Sequence, residues 1–231
     1  MWNVAKEQIA RVAPIVDDKS SAPSRVEALV FRYRAEMYAG LEHDAATRAS
    51  LEAFAAPDQP VRISPTFRAV AALTFAEEAL QRGDPALAVR WIDAADKHLA
   101  GGRQSAGSEI GQAIGMGLRG IAKLLLGDQS AALTLLKQGR EQLGKVLGAE
   151  HPQTLFMTLN EALALERADR RAGAAALAAQ ASSGLRRSLG AASPTYSRVR
   201  ALEQRLSLEP ADPARAAATT NSSRPATEFF F

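Results

Sequence analysis

The chain repeats itself at intervals of 42 to 44 residues, and that constrains its fold more than any local motif does. Leu147-Gly148-Ala149-Glu150-His151-Pro152 returns as Leu189-Gly190-Ala191-Ala192-Ser193-Pro194, 42 residues later. The same offset carries Gly120 onto Ala162, Ala132 onto Ala174 and Gly139 onto Ala181. An offset of 44 carries Ala76 onto Gly120, Gly83-Asp84 onto Gly127-Asp128, Ala88 onto Ala132 and Ala95 onto Gly139. One step further back, Gly40 and Ala45 precede Gly83 and Ala88 by 43. Small side chains at fixed places let two helices of a unit approach closely and let each unit nest on the next. A glycine between the helices suits a turn of positive φ.

The punctuation agrees with paired helices. Ser64-Pro65, Asp84-Pro85 and Ser193-Pro194 each put an N-cap residue before a proline at the first helical position. Ser24 with Glu27 has the spacing of a capping box. These signals predict helices over 24–39 and 42–55, 65–81 and 85–100, 108–126 and 129–147, 152–168 and 170–188, with a closing helix over 194–208. Leu133, Leu135, Leu136, Leu143 and Leu147 give the third pair an apolar face that it cannot bury alone, so the pairs must stack. The expected fold is therefore all-α, about four helix pairs and a capping helix within 24–208. Residues 1–23 are expected to form an N-terminal helix and linker, with Trp2, Ile9 and Val12 as anchors. That segment reads either as a capping helix or as half of a repeat. From 209 to 231 periodicity disappears and a disordered tail is expected, ending in Phe229-Phe230-Phe231.

Composition fits this reading and narrows the function classes. Aromatic residues make up 6% of the chain and Ala dominates the apolar set, which favours close-packed helices over sheets. The absence of cysteine excludes disulfides, thiol catalysis and cysteine-bound zinc. No apolar run approaches the roughly 18 residues that span a bilayer, and Lys6, Glu7 and Arg11 interrupt the N-terminus where a secretory signal would be apolar. A soluble, cytoplasmic protein is the expectation. A net charge of +3 is too small to argue for nucleic acid.

Leu147, Gly148, His151, Pro152 and Thr154, followed by Leu159-Asn160-Glu161-Ala162, resemble a known pattern. It is the 42-residue tetratricopeptide-repeat variant named after kinesin light chain, in which a Leu-Gly-x-x-His-Pro linker runs into a Leu-Asn-Asn-Leu-Ala helix. The resemblance is good over about 120–205 and looser over 24–105, where that linker is missing. One Asn of the family's pair remains, most of its Tyr positions are lost, and Ser193 stands where His is usual. The resemblance implies a right-handed superhelix of helix pairs whose concave face binds a peptide or partner protein. In bacteria such arrays are often joined to winged-helix regulators or Ser/Thr kinases, so a sensory module separated from its effector is the alternative.

Other motifs point nowhere else. Gly115, Gly117 and Gly120 satisfy the spacing of a dinucleotide fingerprint, but no strand precedes them and they fall inside an expected helix. Close helix packing is the reading. His43, His98 and His151 lack the paired ligands of a metal site, and no Ser-His-Asp or paired-acid constellation is evident. No catalytic residue, cofactor or metal is therefore expected.

The expected groove is lined by Tyr33, Glu36 and Met37, by Thr74 and Glu77, by Arg119 and Lys123, and by Asn160 and Arg167. Asn160 alone among them is carried over from the family pattern. Arg167, Arg170, Arg171, Arg186, Arg187, Arg198, Arg200 and Arg205 concentrate late in the chain, opposed by Asp169 and Glu203. They read either as a solvated surface or as a grip on an acidic partner. The Phe229-Phe230-Phe231 cluster reads as a docking segment, for another protein's groove or the chain's own, or as an engineered or frameshift remnant.

Overall fold

The computed structural model describes residues 22–39, 45–57, 64–102, 104–191, 193–207 and 229–230. Among these there are nine helices and no strand. They are α1 (Ala22–Ala39), α2 (Ala45–Ala55), α3 (Pro65–Gln81), α4 (Pro85–Ala100), α5 (Ala106–Leu125), α6 (Gln129–Leu147), α7 (Pro152–Arg167), α8 (Arg171–Leu189) and α9 (Pro194–Ser207). The helices expected between 24 and 208 are all present, with ends no more than three residues from expectation. The expected N-terminal helix with Trp2, Ile9 and Val12, Gly40, His43, the side chains of Ser24 and Glu27, most of the tail and Phe231 lie outside the described residues. No described helix is long and apolar enough to cross a membrane.

The chain divides into two compact units, Met1–Ala79 with Ala86–Gly115, and Leu80–Pro85 with Met116–Phe231. In the first, aromatic rings form the centre. Tyr33 meets Phe75 edge-on at 5.3 Å between centroids, and Phe75 lies 4.9 Å from Trp91. Acidic side chains are drawn into this core because cations follow them. The Tyr33 hydroxyl donates to Glu78 Oε2 at 2.6 Å, and Arg48 Nη1 reaches Glu78 Oε1 at 2.8 Å. Arg34 Nη2 lies 3.2 Å from Glu77.

The last turn of α2 shows the same economy of polar groups. Helix C-termini leave carbonyls without intrahelical donors. Arg68 Nε donates to Phe54 O at 3.0 Å, Arg68 Nη2 to Ala56 O, and His98 Nε2 to Ala55 O at 2.8 Å. A carbonyl only accepts, so the proton sits on His98 Nε2. His98 is buried, and that desolvation lowers its pKa, with Arg68 adding to the shift and the Ala55 bond opposing it.

In the second unit α7 packs against both α6 and α8, and α9 packs against α8. Two linkers 42 residues apart adopt one geometry. Gly148 has φ 96° and ψ 154°, and Gly190 has φ 77° and ψ 156°. Their amides donate to Gly144 O and Arg186 O, and His151 N and Ser193 N turn back to Gly148 O and Gly190 O. Both glycines need the left-handed half of the map, which side chains with a Cβ rarely occupy. The linker then starts α7 with a cap, because His151 Nδ1 accepts from Gln153 N at 3.3 Å ahead of Pro152. Gly117 and Gly120, inside α5, are contact points. A Cβ on Gly117 would meet Met157 Cε at 2.0 Å, and one on Gly120 would meet Leu136 Cγ at 2.8 Å.

Candidate functional site

Helix α7 is the most enclosed of the described helices. From Thr154 to Leu165 every residue except Phe156 is buried. A helix turns about 100° per residue, so Phe156, Asn160 and Arg167 fall within roughly 40° of one another on a single stripe. Thr154, Thr158 and Glu161 share the opposite side. There they face α6 and α8, where Arg140 Nε holds Glu161 Oε2 at 2.6 Å beside a cavity of about 290 Å³ that Thr154, Thr158, Lys145 and Gln180 help line.

The Phe156–Asn160–Arg167 stripe carries the two described residues of the tail. Asn160 Nδ2 donates to Phe230 O at 2.7 Å, and Phe230 N donates to Asn160 Oδ1 at 2.9 Å. One amide thus satisfies both backbone groups of one residue. Asn160 is 2% exposed, so each of these bonds replaces water that is absent. Arg198, from α9, adds a third backbone contact by donating from Nη2 to Phe229 O at 3.2 Å.

The rings are held by faces rather than by hydrogen bonds. The Phe230 ring lies parallel to Phe156 within 9°, centroids 6.3 Å apart, and the Arg198 guanidinium carbon stands 5.0 Å from its centroid. The Arg167 guanidinium carbon stands 5.3 Å from the centroid of Phe229. Both distances are in the range where a cation is attracted by the negative face of a ring. Phe229 and Phe230 are 2% and 5% exposed. Arg198 as a residue stays at the exposed rim, while desolvation of its guanidinium lowers its pKa and leaves it charged at ordinary pH.

The α9 side of the site is braced from α7 and α8. Arg205 Nη2 reaches Glu166 Oε2 at 2.8 Å, Arg171 Nη2 donates to Arg205 O at 2.6 Å, and Ser182 Oγ donates to Glu203 Oε2 at 2.7 Å. Arg187 pairs with Glu150. Five of the eight late arginines therefore have intramolecular partners named here, while Arg170, Arg186 and Arg200 are exposed.

The chain matches no family model, no curated protein and no solved structure. What can be said of the site comes from its own residues.

Of the residues expected to line a groove, the structure brings Asn160, Arg167, Phe229 and Phe230 together. Arg119 and Lys123 are half-buried on α5, where Lys123 lies 3.8 Å from Asp128. Tyr33, Glu36, Met37, Thr74 and Glu77 belong to the first unit and are all buried. Thr74 Oγ1 donates to Val70 O at 2.9 Å, and Arg32 Nε donates to Glu36 Oε1 at 2.8 Å. Two residues of the site were not among those expected. Phe156 shares the Asn160 stripe four residues earlier, a spacing visible in the sequence. Arg198 is one of the late arginines, and nothing local separates it from its exposed neighbours. Among the described residues, no three His, Asp or Glu side chains are placed to hold a metal ion.

Proposed function

We propose that the chain is a non-catalytic protein–protein interaction scaffold of the tetratricopeptide-repeat kind, a right-handed solenoid of helix pairs, and that the Asn160 stripe of α7 is where it holds a short segment of a partner. The observation that carries this reading is the two-point hydrogen bond between the Asn160 side chain and the backbone of Phe230. An amide that takes both the N–H and the C=O of one residue recognises peptide backbone whatever the side chain. Such contacts give affinity, and neighbouring side-chain sites give selectivity, as in other modes of peptide recognition. The repeat part of the reading is supported by the twin linkers at Gly148 and Gly190, which share backbone angles and hydrogen bonds at the sequence interval of 42.

The test is a display selection of random peptides on the full chain carrying F229A/F230A, which vacates the stripe. Selected peptides should bind in solution and lose at least about tenfold in affinity to the same chain with Asn160→Leu added, since a backbone clamp of this kind leaves unpaired polar groups when removed. Peptides that bind both forms alike, or a selection that enriches nothing on a folded chain, would rule the reading out.

A further inference from the structure

The backbone clamp is blind to sequence, but the two ring sites beside it are not. Phe229 and Phe230 enter different surroundings. One ring is met by Arg167, and the other by Phe156 and Arg198. Each site therefore offers a full cation to a ring face and is nearly closed to water. An aliphatic side chain of similar volume would fill either site yet lack the quadrupole that the guanidinium meets. Arg198 links the two levels, since it both covers the Phe230 ring and donates to Phe229 O.

We propose that the groove selects a partner segment with two consecutive aromatic residues, and that Phe229–Phe230 is the chain's own occupant, which such a partner must displace. The proposal rests on the peptide-binding reading above and adds to it a sequence rule and a built-in competitor. Residues 208–228 join α9 to the docked pair, and a stretch of that length reaches about 70 Å when extended, so the covalent connection does not restrict docking within one chain. It holds the pair at an effective concentration on the order of millimolar. A free peptide of the same sequence binds only by outcompeting that.

The experiment is fluorescence anisotropy with a labelled peptide copying residues 225–230, Pro-Ala-Thr-Glu-Phe-Phe with blocked ends. It is titrated with the unaltered full chain and with full-length F229A/F230A. The double variant should bind it about tenfold or more tightly than the unaltered chain. Replacing either peptide Phe by Leu should weaken binding to the double variant by about fivefold or more. Equal affinity of the two chains would overturn the competitor. Equal affinity of the Phe-Phe peptide and its single-Leu variants would overturn the sequence rule while leaving a peptide site in place. No binding of any peptide to a folded double variant would remove the peptide-binding reading and this proposal with it. Should the double variant lose its helical circular dichroism, the unaltered chain is labelled with 4-fluorophenylalanine at position 230. Excess peptide should then move the fluorine resonance to its solvent-exposed position, and a resonance that stays in place counts against displacement.

Discussion

Asp169 occupies the left-handed backbone position, φ 55°, that Gly127 occupies at φ 86° one 42-residue step earlier. The two turns share their hydrogen bonds. Gly127 N donates to Leu124 O and Asp128 N to Lys123 O, while Asp169 N donates to Glu166 O and Arg170 N to Leu165 O.

The equivalence predicts stabilising changes. A residue with a Cβ at positive φ carries a conformational cost that glycine avoids, so Asp169→Gly should raise stability by about 0.5 kcal/mol. The next residue differs as well. Asp128 caps α6 by accepting from Ala131 N at 3.2 Å, whereas Arg170 makes no side-chain cap to α8. Arg170→Asp should install one, adding about 1 kcal/mol. Urea midpoints read both, and an unchanged or lower midpoint for either variant would mean that the turns are not interchangeable.

Gly117 and Gly120 should answer differently to alanine. At Gly120 the added Cβ would meet Leu136 Cγ at 2.8 Å and two backbone atoms, Ala132 O and Leu136 N, at 3.2 Å. Backbone cannot step aside, so Gly120→Ala should cost about 1–3 kcal/mol despite its better helix propensity. At Gly117 the obstruction is the far end of Met157, an unbranched and adaptable side chain. Gly117→Ala should cost less than Gly120→Ala. Thermal denaturation of the two variants side by side reads the order.

The order of helices was legible because its signals are local. The recurring Gly83, Gly127, Gly148 and Gly190, each at positive φ, mark where helices stop, and the Ser-Pro and Asp-Pro pairs mark where they start. What lines a surface was less legible, because it depends on partners distant in sequence. Tyr33 and Glu77 looked like polar residues on an open face. They are buried because Glu78 lies 45 residues from Tyr33, and Arg34 lies 43 residues from Glu77. Asn160 stood out through the family pattern and the Phe pair through its oddity. Their pairing across 70 residues has no local signal.

Acid should weaken the first unit through His98. Its pKa is lowered in the folded chain, mainly by burial, so the folded state binds its proton less readily than the unfolded state does. The stabilisation is fully present above the unfolded value of about 6.5 and is lost as pH falls through the lowered folded value. Protonation leaves the Nε2 bond to Ala55 O intact and acts through desolvation and the nearby Arg68. His98→Gln should therefore flatten the stability–pH profile below about pH 6.5. An unchanged slope in denaturant titrations from pH 5 to pH 7.5 would assign the acid sensitivity elsewhere.

Asn160→Asp should turn the tail contact into a pH-dependent one. The new carboxylate keeps an acceptor for Phe230 N but loses the donor to Phe230 O, and two oxygens then face each other where Asn160 is now 2% exposed. Burial and that repulsion both disfavour the charged form, so the carboxyl group's pKa rises above its unfolded value of about 3.9 when the tail is docked. A raised pKa means that docking is fully supported below the unfolded value and is lost as pH rises through the folded one. Protonated, the group is again both donor and acceptor, which is what Phe230 requires. Near neutral pH the variant should expose the Phe230 amide to hydrogen exchange, and protection should return toward pH 4. Asn160→Leu, which cannot donate at any pH, should leave that amide unprotected throughout. Exchange followed by NMR distinguishes the two, and an N160D profile as flat as that of N160L would show that the donor to Phe230 O is not what holds the tail.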